Sequence, residues 1–445
     1  MIRFRTSVLL LIFFVSTSLT LSGCDLFEVD NPQELPTQQI DQDEQLLPAV
    51  VNGVEGRFAG LLDQSILFSG LVADELRHTG SFPSFGDIDR GVLTAGNAEI
   101  NPLYSSGAST VWSGDDTADR IDAQLESGEL DSTEEAEFQN LKARALLFGG
   151  YALVVLSENF GGVTIDAGER LSPENGFEEA ITRFNESVAA AQAAVAAAQA
   201  AGDPSLDPSL EGRIANAQGL EAYAQGGIAR ASLNLGNLDD AFDAATAALG
   251  VGGNFNREVA YDQATNQNDI WTFMIGRSEV ALGSSYPVPA DADPRTATGP
   301  DEDTEDTLAK HADRGADISL VRWQEMHLIR AEVLWRGSAN VTQDLNAATG
   351  ELNIVRAEAG LGAFTIDTSA DAPPASDQVR DQIILERAAE FFLEGRRFFD
   401  ARRYLDTPFE GTTVSSWPPA EWVGSPSALQ TFPIGQTEQN QNPNL

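Results

Sequence analysis

The sequence predicts a mostly helical protein in which pairs of antiparallel helices support a large, irregular, loop-rich part. Three observations predict it. Apolar residues recur at intervals of three and four over about residues 134–250 and 319–404. Short turns containing Gly or Asn cut those stretches into hairpins. The remaining parts, about 63–133, 250–316 and 405–445, are rich in Gly, Ser, Pro and Asn and carry no such period.

The elements follow in order. A first helix is expected near Leu46 to Leu62, and residues 80–110 read as long loops with scattered aromatics. Leu141, Ala145, Phe148, Ala152 and Val155 then form one apolar stripe. Ile181, Phe184, Val188, Ala191 and Val195 form the next, which Gly202 and Pro204 terminate. The turn Asn159-Phe160-Gly161-Gly162-Val163 makes these two a hairpin. In a second hairpin Ala217, Leu220, Ala224, Ala231 and Leu235 lead through Gly236-Asn237 to Ala241, Ala245 and Ala248. Its small facing residues and its Leu-Gly-Asn turn are similar to a tetratricopeptide unit. A third pairs 319–337 with about 344–360 across Gly337-Ser338-Ala339-Asn340, and a last helix is expected over about 376–404. Uneven spacing argues for an interrupted set of hairpins rather than a continuous solenoid.

The first residues carry a targeting signal. Arg3 and Arg5 precede an apolar stretch, Ser7 to Thr20, too short for a lasting membrane span, and Leu21-Ser22-Gly23-Cys24 has the form of a lipobox. Residues 1–23 are therefore expected to be a signal peptide, Cys24 a lipidation site, 24–40 a tether and 41–445 a single domain. Cys24 is the only cysteine, so no intramolecular disulfide can form. The formal charge of −41 argues against nucleic acid and against binding anionic lipid through the protein body. The basic side is nearly all arginine, with Lys142 and Lys310 the only lysines, a balance that suits a high-salt habitat.

No catalytic constellation emerges. The three histidines, His78, His311 and His327, share no metal-ligand spacing, and no nucleophile elbow or phosphate loop is present. No metal or cofactor is expected. The acidic run Asp301 to Asp306 lacks the spacing and glycine of an EF-hand and reads as solvated loop. Glu386, Glu390 and Glu394 share a helix face, which is either an acid–base array or one side of an ion-pair network with Arg387, Arg396, Arg397, Arg402 and Arg403. The network is favoured, with Glu394–Arg397 and Arg396–Asp400 as local pairs and Gly395 as a point of close helix contact. Ligand capture should use aromatic faces on loops. The candidates are Phe82, Phe85, Tyr104, Trp112, Tyr286, Trp417 and Trp422. Trp112, beside Ser113, Asp115 and Asp116, comes first, followed by Tyr104 and Tyr286. Trp323 and Trp335, on a predicted helix, read as core.

The stretch Leu385-Glu386-Arg387-Ala388-Ala389-Glu390-Phe391-Phe392-Leu393-Glu394-Gly395-Arg396-Arg397-Phe398-Phe399-Asp400-Ala401-Arg402-Arg403 resembles the terminal helix of SusD/RagB-like lipoproteins. Phe432-Pro433-Ile434-Gly435 followed by Asn440-Gln441-Asn442-Pro443-Asn444-Leu445 is similar to that family's closing segment, with Gly435 where proline is usual. Asn31-Pro32 after Cys24, the Leu141–Gly162 hairpin with Lys142 and Phe160 in place of the usual Arg and Tyr, Asp293-Pro294-Arg295, and Ile329-Arg330-Ala331-Glu332 agree in order. The resemblance implies tetratricopeptide-like hairpins packed against a loop-built region. It also implies a lipid-anchored outer-membrane protein, surface-exposed, that captures an oligosaccharide or a peptide for a SusC-like TonB-dependent transporter without transforming it. The competing classes are a glycan-degrading hydrolase and a helical-repeat scaffold with protein partners only. The acidic surface itself sets a prediction: the melting temperature rises steeply from low to molar sodium chloride as ions screen self-repulsion, and a flat profile would refute this.

Overall fold

The computed structural model describes residues 44–73, 75–128, 130–283, 293–297, 308–404 and 431–445. The chain divides into residues 1–46, of which only the single turn Glu44–Leu46 is described, and residues 47–445, which hold everything that follows. No helix among the described residues is long and apolar enough to cross a membrane.

Helices dominate. Leu47–Val72 (α1) and Pro83–Asp89 (α2) precede Ile100–Glu126 (α3) and Ser132–Asn159 (α4). Pro173–Ala201 (α5), Pro208–Leu235 (α6) and Leu238–Gly252 (α7) continue the array. Trp323–Arg336 (α8), Leu345–Glu358 (α9), Ala375–Glu390 (α10), Arg397–Arg403 (α11) and Gln436–Gln441 (α12) complete it. The hairpins expected from the apolar period are α4–α5, α6–α7 and α8–α9. Their starts are chemically marked: Asp131 and Glu134 form a reciprocal capping box on α4, and Ser172 and Asp207 cap α5 and α6 just ahead of Pro173 and Pro208.

The middle of the array is held by one ring. Phe184 of α5 lies between α4 and α6, where a Cβ on Gly150 would stand 2.7 Å from it and a Cβ on Gly227 2.5 Å from it. Tyr151 packs edge-on against the same ring at 4.8 Å and donates its hydroxyl to Tyr223 O at 3.0 Å. Two helix backbones thus close on the outer end of one ring, which only glycine allows. Further along, Arg230 of α6 and Glu158 of α4 form a buried pair, and Arg183 of α5 reaches Asp115 of α3 with two bonds at 2.9 and 2.7 Å.

The expected loop-rich stretch 63–133 is largely helical. α1 runs ten residues beyond Leu62, and α3 occupies 100–126 although its sequence is rich in Ser, Thr, Gly and Asp. The reason is close packing. A Cβ on Gly107 would meet Leu156 at 2.6 Å and one on Gly114 would meet Ala145 O at 2.9 Å, so α3 presents small residues to α4 that interrupt the apolar stripe of Leu103, Tyr104, Val111 and Ile121. Two short antiparallel ribbons pin the 250–322 stretch to the helices. Leu76–His78 (β1) pairs with Val280–Leu282, and Asn256–Val259 (β2) pairs with Ile318–Arg322. In chain order the latter two partners are β3 and β4. The segment from Thr431 returns to the hairpin turn after α4: Phe432 N–H donates to Asn159 O at 2.7 Å, and Gly161 N–H donates to Phe432 O at 2.9 Å.

The single terminal helix expected over 376–404 is two helices. The chain turns between Glu390 and Arg397, with Leu393 at φ 52° and Gly395 at φ 76°. Gly395 therefore serves backbone geometry as well as contact, since a Cβ there would lie 3.2 Å from Ile66. Trp323 and Trp335 are buried, as their helical position predicts.

The central ring sets a prediction. Gly227→Ala should destabilise the protein by about 1–3 kcal/mol by forcing Phe184 from its place. Phe184→Leu in the same background should recover part of that loss in urea denaturation, whereas strictly additive effects would contradict the wedge.

Candidate functional site

Glu386 and Glu390 of α10, and Glu394 in the turn after it, lie in an ion-pair network whose partners come from distant elements. Glu386 accepts from Arg295 Nη2 at 2.7 Å and from Arg356. Glu390 accepts from Arg322 Nε at 2.9 Å and Arg295 Nη1 at 3.2 Å. Glu394 accepts from Lys310 Nζ at 2.7 Å and Arg322 Nη1 at 2.6 Å. The network was expected but its partners were not. Arg396 donates to Leu320 O and Glu394 O rather than to Asp400, whose carboxylate is held by Arg387 at 2.7 and 3.0 Å and by Arg403 at 2.9 Å. The break in the helix redirects these side chains. Burial alone would raise the Glu394 and Asp400 carboxyls, but the cations beside them outweigh it and hold both below the usual range, Glu394 at about 2. Such groups stay ionised and fully hydrogen-bonded, which suits a brace rather than a proton donor.

A cavity of about 290 Å³ opens beside this network, lined by Lys310, His311, Ser319, Arg322, Glu390 and Glu394 among others. The lysine, the arginine and both glutamates already have partners. His311 is buried between Asn268 Nδ2, 3.1 Å from its Nδ1, and Leu393 O, 3.1 Å from its Nε2. Nε2–H donates and Nδ1 accepts, and burial pushes the imidazole down to about 4, so it is neutral near pH 7. Glu75 lies close by. Burial pushes its carboxyl up to about 7 although Oε1 accepts from Leu393 N–H and Arg397 and Lys310 favour its charge. Of the other histidines, His78 faces Glu279 at 3.6 Å, not its sequence neighbours, and His327 pairs with Glu351. Among the described residues no three His, Cys, Asp or Glu side chains are arranged to hold a metal ion.

The structure separates the expected aromatic candidates. Tyr104 is a core residue on α3: it is fully buried, packs against Phe160 at 5.0 Å and bonds Thr164 Oγ1 at 3.0 Å. Its loop placement is corrected, and its ring has no face open to a ligand. Phe85 is likewise buried, with Phe68 at 5.3 Å and the half-buried Phe82 at 5.6 Å. Trp112 is also helical, not on a loop, yet it is 53% exposed and is the only exposed aromatic among the described residues. The hydroxyls of Ser109 and Ser113 and the Asp116 carboxylate, itself paired with Arg120 at 2.8 Å, lie within one turn of it. Asp115, expected beside it, is taken up by Arg183. Tyr286, Trp417, Trp422, Cys24 and the 301–306 acidic run lie outside the described residues. A second opening of about 590 Å³, which sequence reasoning did not anticipate, lies where Thr431–Ile434 and the last residues meet Arg170 and Gly161.

The sequence of residues 291–445 matches the model of the SusD family. The fold matches a SusD superfamily protein from Bacteroides vulgatus (TM-score 0.63, 14% identity, 91% of this chain and 98% of that one). A SusD superfamily protein from Bacteroides thetaiotaomicron gives a TM-score of 0.60 at 16% identity, over 90% and 98%. Surface glycan-binding protein A from Bacteroides uniformis gives 0.59 at 14%, over 91% and 99%. No curated protein sequence matches significantly. The C-terminal third thus matches the SusD family in sequence, and the chain has the fold of solved SusD superfamily structures.

The buried groups around the cavity set a pH prediction. The Glu75 carboxyl titrates higher in the fold than its ordinary 4.5, so its contribution is full below that value and is lost as pH rises through about 7. Glu75→Gln should therefore raise stability at pH 8 by up to about 3 kcal/mol and change it little at pH 4. His311 acts on the acid side, its contribution being lost as pH falls from 6.5 through about 4. Urea denaturation of Glu75→Gln at the two pH values checks the first claim, and an equal effect at both would refute it.

Proposed function

We propose that this protein is a lipid-anchored outer-membrane binding protein, carried on Cys24 and facing outward, that captures an oligosaccharide and passes it to a SusC-like TonB-dependent transporter. The observation that carries the binding role is Trp112. An indole more than half exposed to water, on a helix whose opposite face is locked against α4, is a rigid flat surface. The hydroxyl and carboxyl groups beside it supply hydrogen bonds to the rim of a sugar ring. The relation to a surface glycan-binding protein supports the ligand class. The non-enzymatic reading rests on Glu386, Glu390 and Glu394, each held in an ion pair that serves the fold instead of proton transfer.

Incubation of the purified protein with a panel of polysaccharides, with binding and product release both measured, tests this reading. Saturable binding without turnover is expected; release of shortened glycans would make the protein a hydrolase, and co-purification with envelope proteins without glycan binding would make it a scaffold. In the same assay Trp112→Ala should weaken binding about tenfold or more while leaving the melting temperature unchanged. A drop in melting temperature with unchanged affinity would remove Trp112 from the site.

A further inference from the structure

The indole of Trp112 has a cationic neighbour on another helix. Arg57 of α1 is exposed, and its Nη1 stands 3.5 Å from Oγ of Ser109, one turn before Trp112 on α3. Side chains three apart on a helix are neighbours, with Cβ atoms about 5–6 Å apart. The guanidinium and the indole therefore open onto one stretch of the groove between α1 and α3. Among the described residues Arg57 touches no carboxylate, in a chain whose 68 acidic residues far outnumber its 27 lysines and arginines. Carboxylates on the neighbouring turns of both helices are committed elsewhere. Glu55 is held by Arg144 and Arg257, Asp115 by Arg183 and Asp116 by Arg120.

The two helices run in opposite directions. α1 lies along α4 in the same sense, since Asn52 accepts from Arg144 and, further on, Ser65 accepts from Asn159. α3 opposes α4, because Gly107 meets Leu156 and Gly114 meets Ala145. One turn forward from Ser109 therefore faces one turn back from Arg57, which sets Gly53 across the groove from Trp112. Among the described residues a Cβ on Gly53 would meet nothing within 4 Å, and the same holds for Gly56 and Gly60. Glycine inside a helix weakens it relative to alanine, and packing does not require it at these three positions. The bare backbone leaves an open shelf beside the guanidinium, facing the indole.

We propose that the captured glycan is an acidic oligosaccharide and that Arg57 determines this specificity, binding a carboxylate or sulfate on the sugar unit next to the one stacked on Trp112. The proposal rests on glycan capture at Trp112 and narrows it to anionic chains. A guanidinium meets such oxyanions through two parallel hydrogen bonds. The net charge of −41 opposes the approach of a polyanion. In about 1 M salt the screening length falls to about 3 Å, which removes the repulsion of distant acids and spares a contact at hydrogen-bond distance.

The test titrates the full chain in about 1 M sodium chloride with three oligosaccharides of equal length: a neutral maltooligosaccharide, an oligogalacturonate and a sulfated galactan fragment. At least one charged chain should bind about tenfold or more tighter than the neutral one, and which of the two does so identifies the anion. Arg57→Gln should erase that preference, and Arg57→Lys, which keeps the charge but not the planar fork, should retain part of it. Gly53→Leu should lower affinity for the charged chain while raising the melting temperature, a pair of effects that a merely structural role for this position would not give. Tighter binding of the neutral chain, or a preference for charge that survives Arg57→Gln, overturns the proposal and leaves glycan capture standing. Binding of none of the three overturns it as well, and glycan capture is then decided by the polysaccharide panel.

Discussion

The architecture depends on how closely three helices can approach one ring. Phe184 fills the space between α4 and α6 because Gly150 and Gly227 present bare backbone to the outer end of its ring. That spacing fixes where α5 crosses its neighbours. It places Arg230 within reach of Glu158 and Arg183 within reach of Asp115. Charged groups this far from water are stable only when their partners are already positioned, so the ion pairs are consequences of the packing and then reinforce it.

The same logic governs the C-terminal helices. α10 and α11 carry more charge than a buried helix normally tolerates, and Glu386 and Glu390 are met by arginines from separate elements: Arg295 after one strand pair, Arg322 at the end of β4, Arg356 from α9. The network therefore joins segments far apart in sequence around the turn at Leu393. It lines the 290 Å³ cavity with charged groups that already have partners, and the exposed chemistry is left to α3, where Trp112 projects.

The sequence made the hairpins legible because their apolar residues keep a helical period and their ends carry caps: the α4–α5 and α6–α7 boundaries lie close to the expected ones. α3 was illegible for the opposite reason. Its buried face sets Gly107, Thr110, Gly114 and Thr117 among Tyr104, Val111 and Ile121, so close packing interrupted the stripe on which the reading relied, and Tyr104 and Trp112 were both assigned to loops. The terminal helix read as continuous because its apolar and charged residues keep helical spacing through Gly395, and only the positive φ values show the break. That Glu386, Glu390 and Glu394 belong to an ion-pair network could be read from local composition. That their partners are Arg295, Arg322, Arg356 and Lys310 could not, because those contacts span 30 to 95 residues.

The return of Phe432 to the turn after Asn159 joins residues more than 270 positions apart through two backbone hydrogen bonds and a row of rings from Tyr104 through Phe160 to Phe398. On the ribosome, the helices that receive this segment emerge long before it does. The hairpins can form early, but the α4 turn lacks these two backbone partners until Phe432 has been made. A growing chain of this design delays its final closure, so the last step of folding is the docking of a segment made long after its receptor.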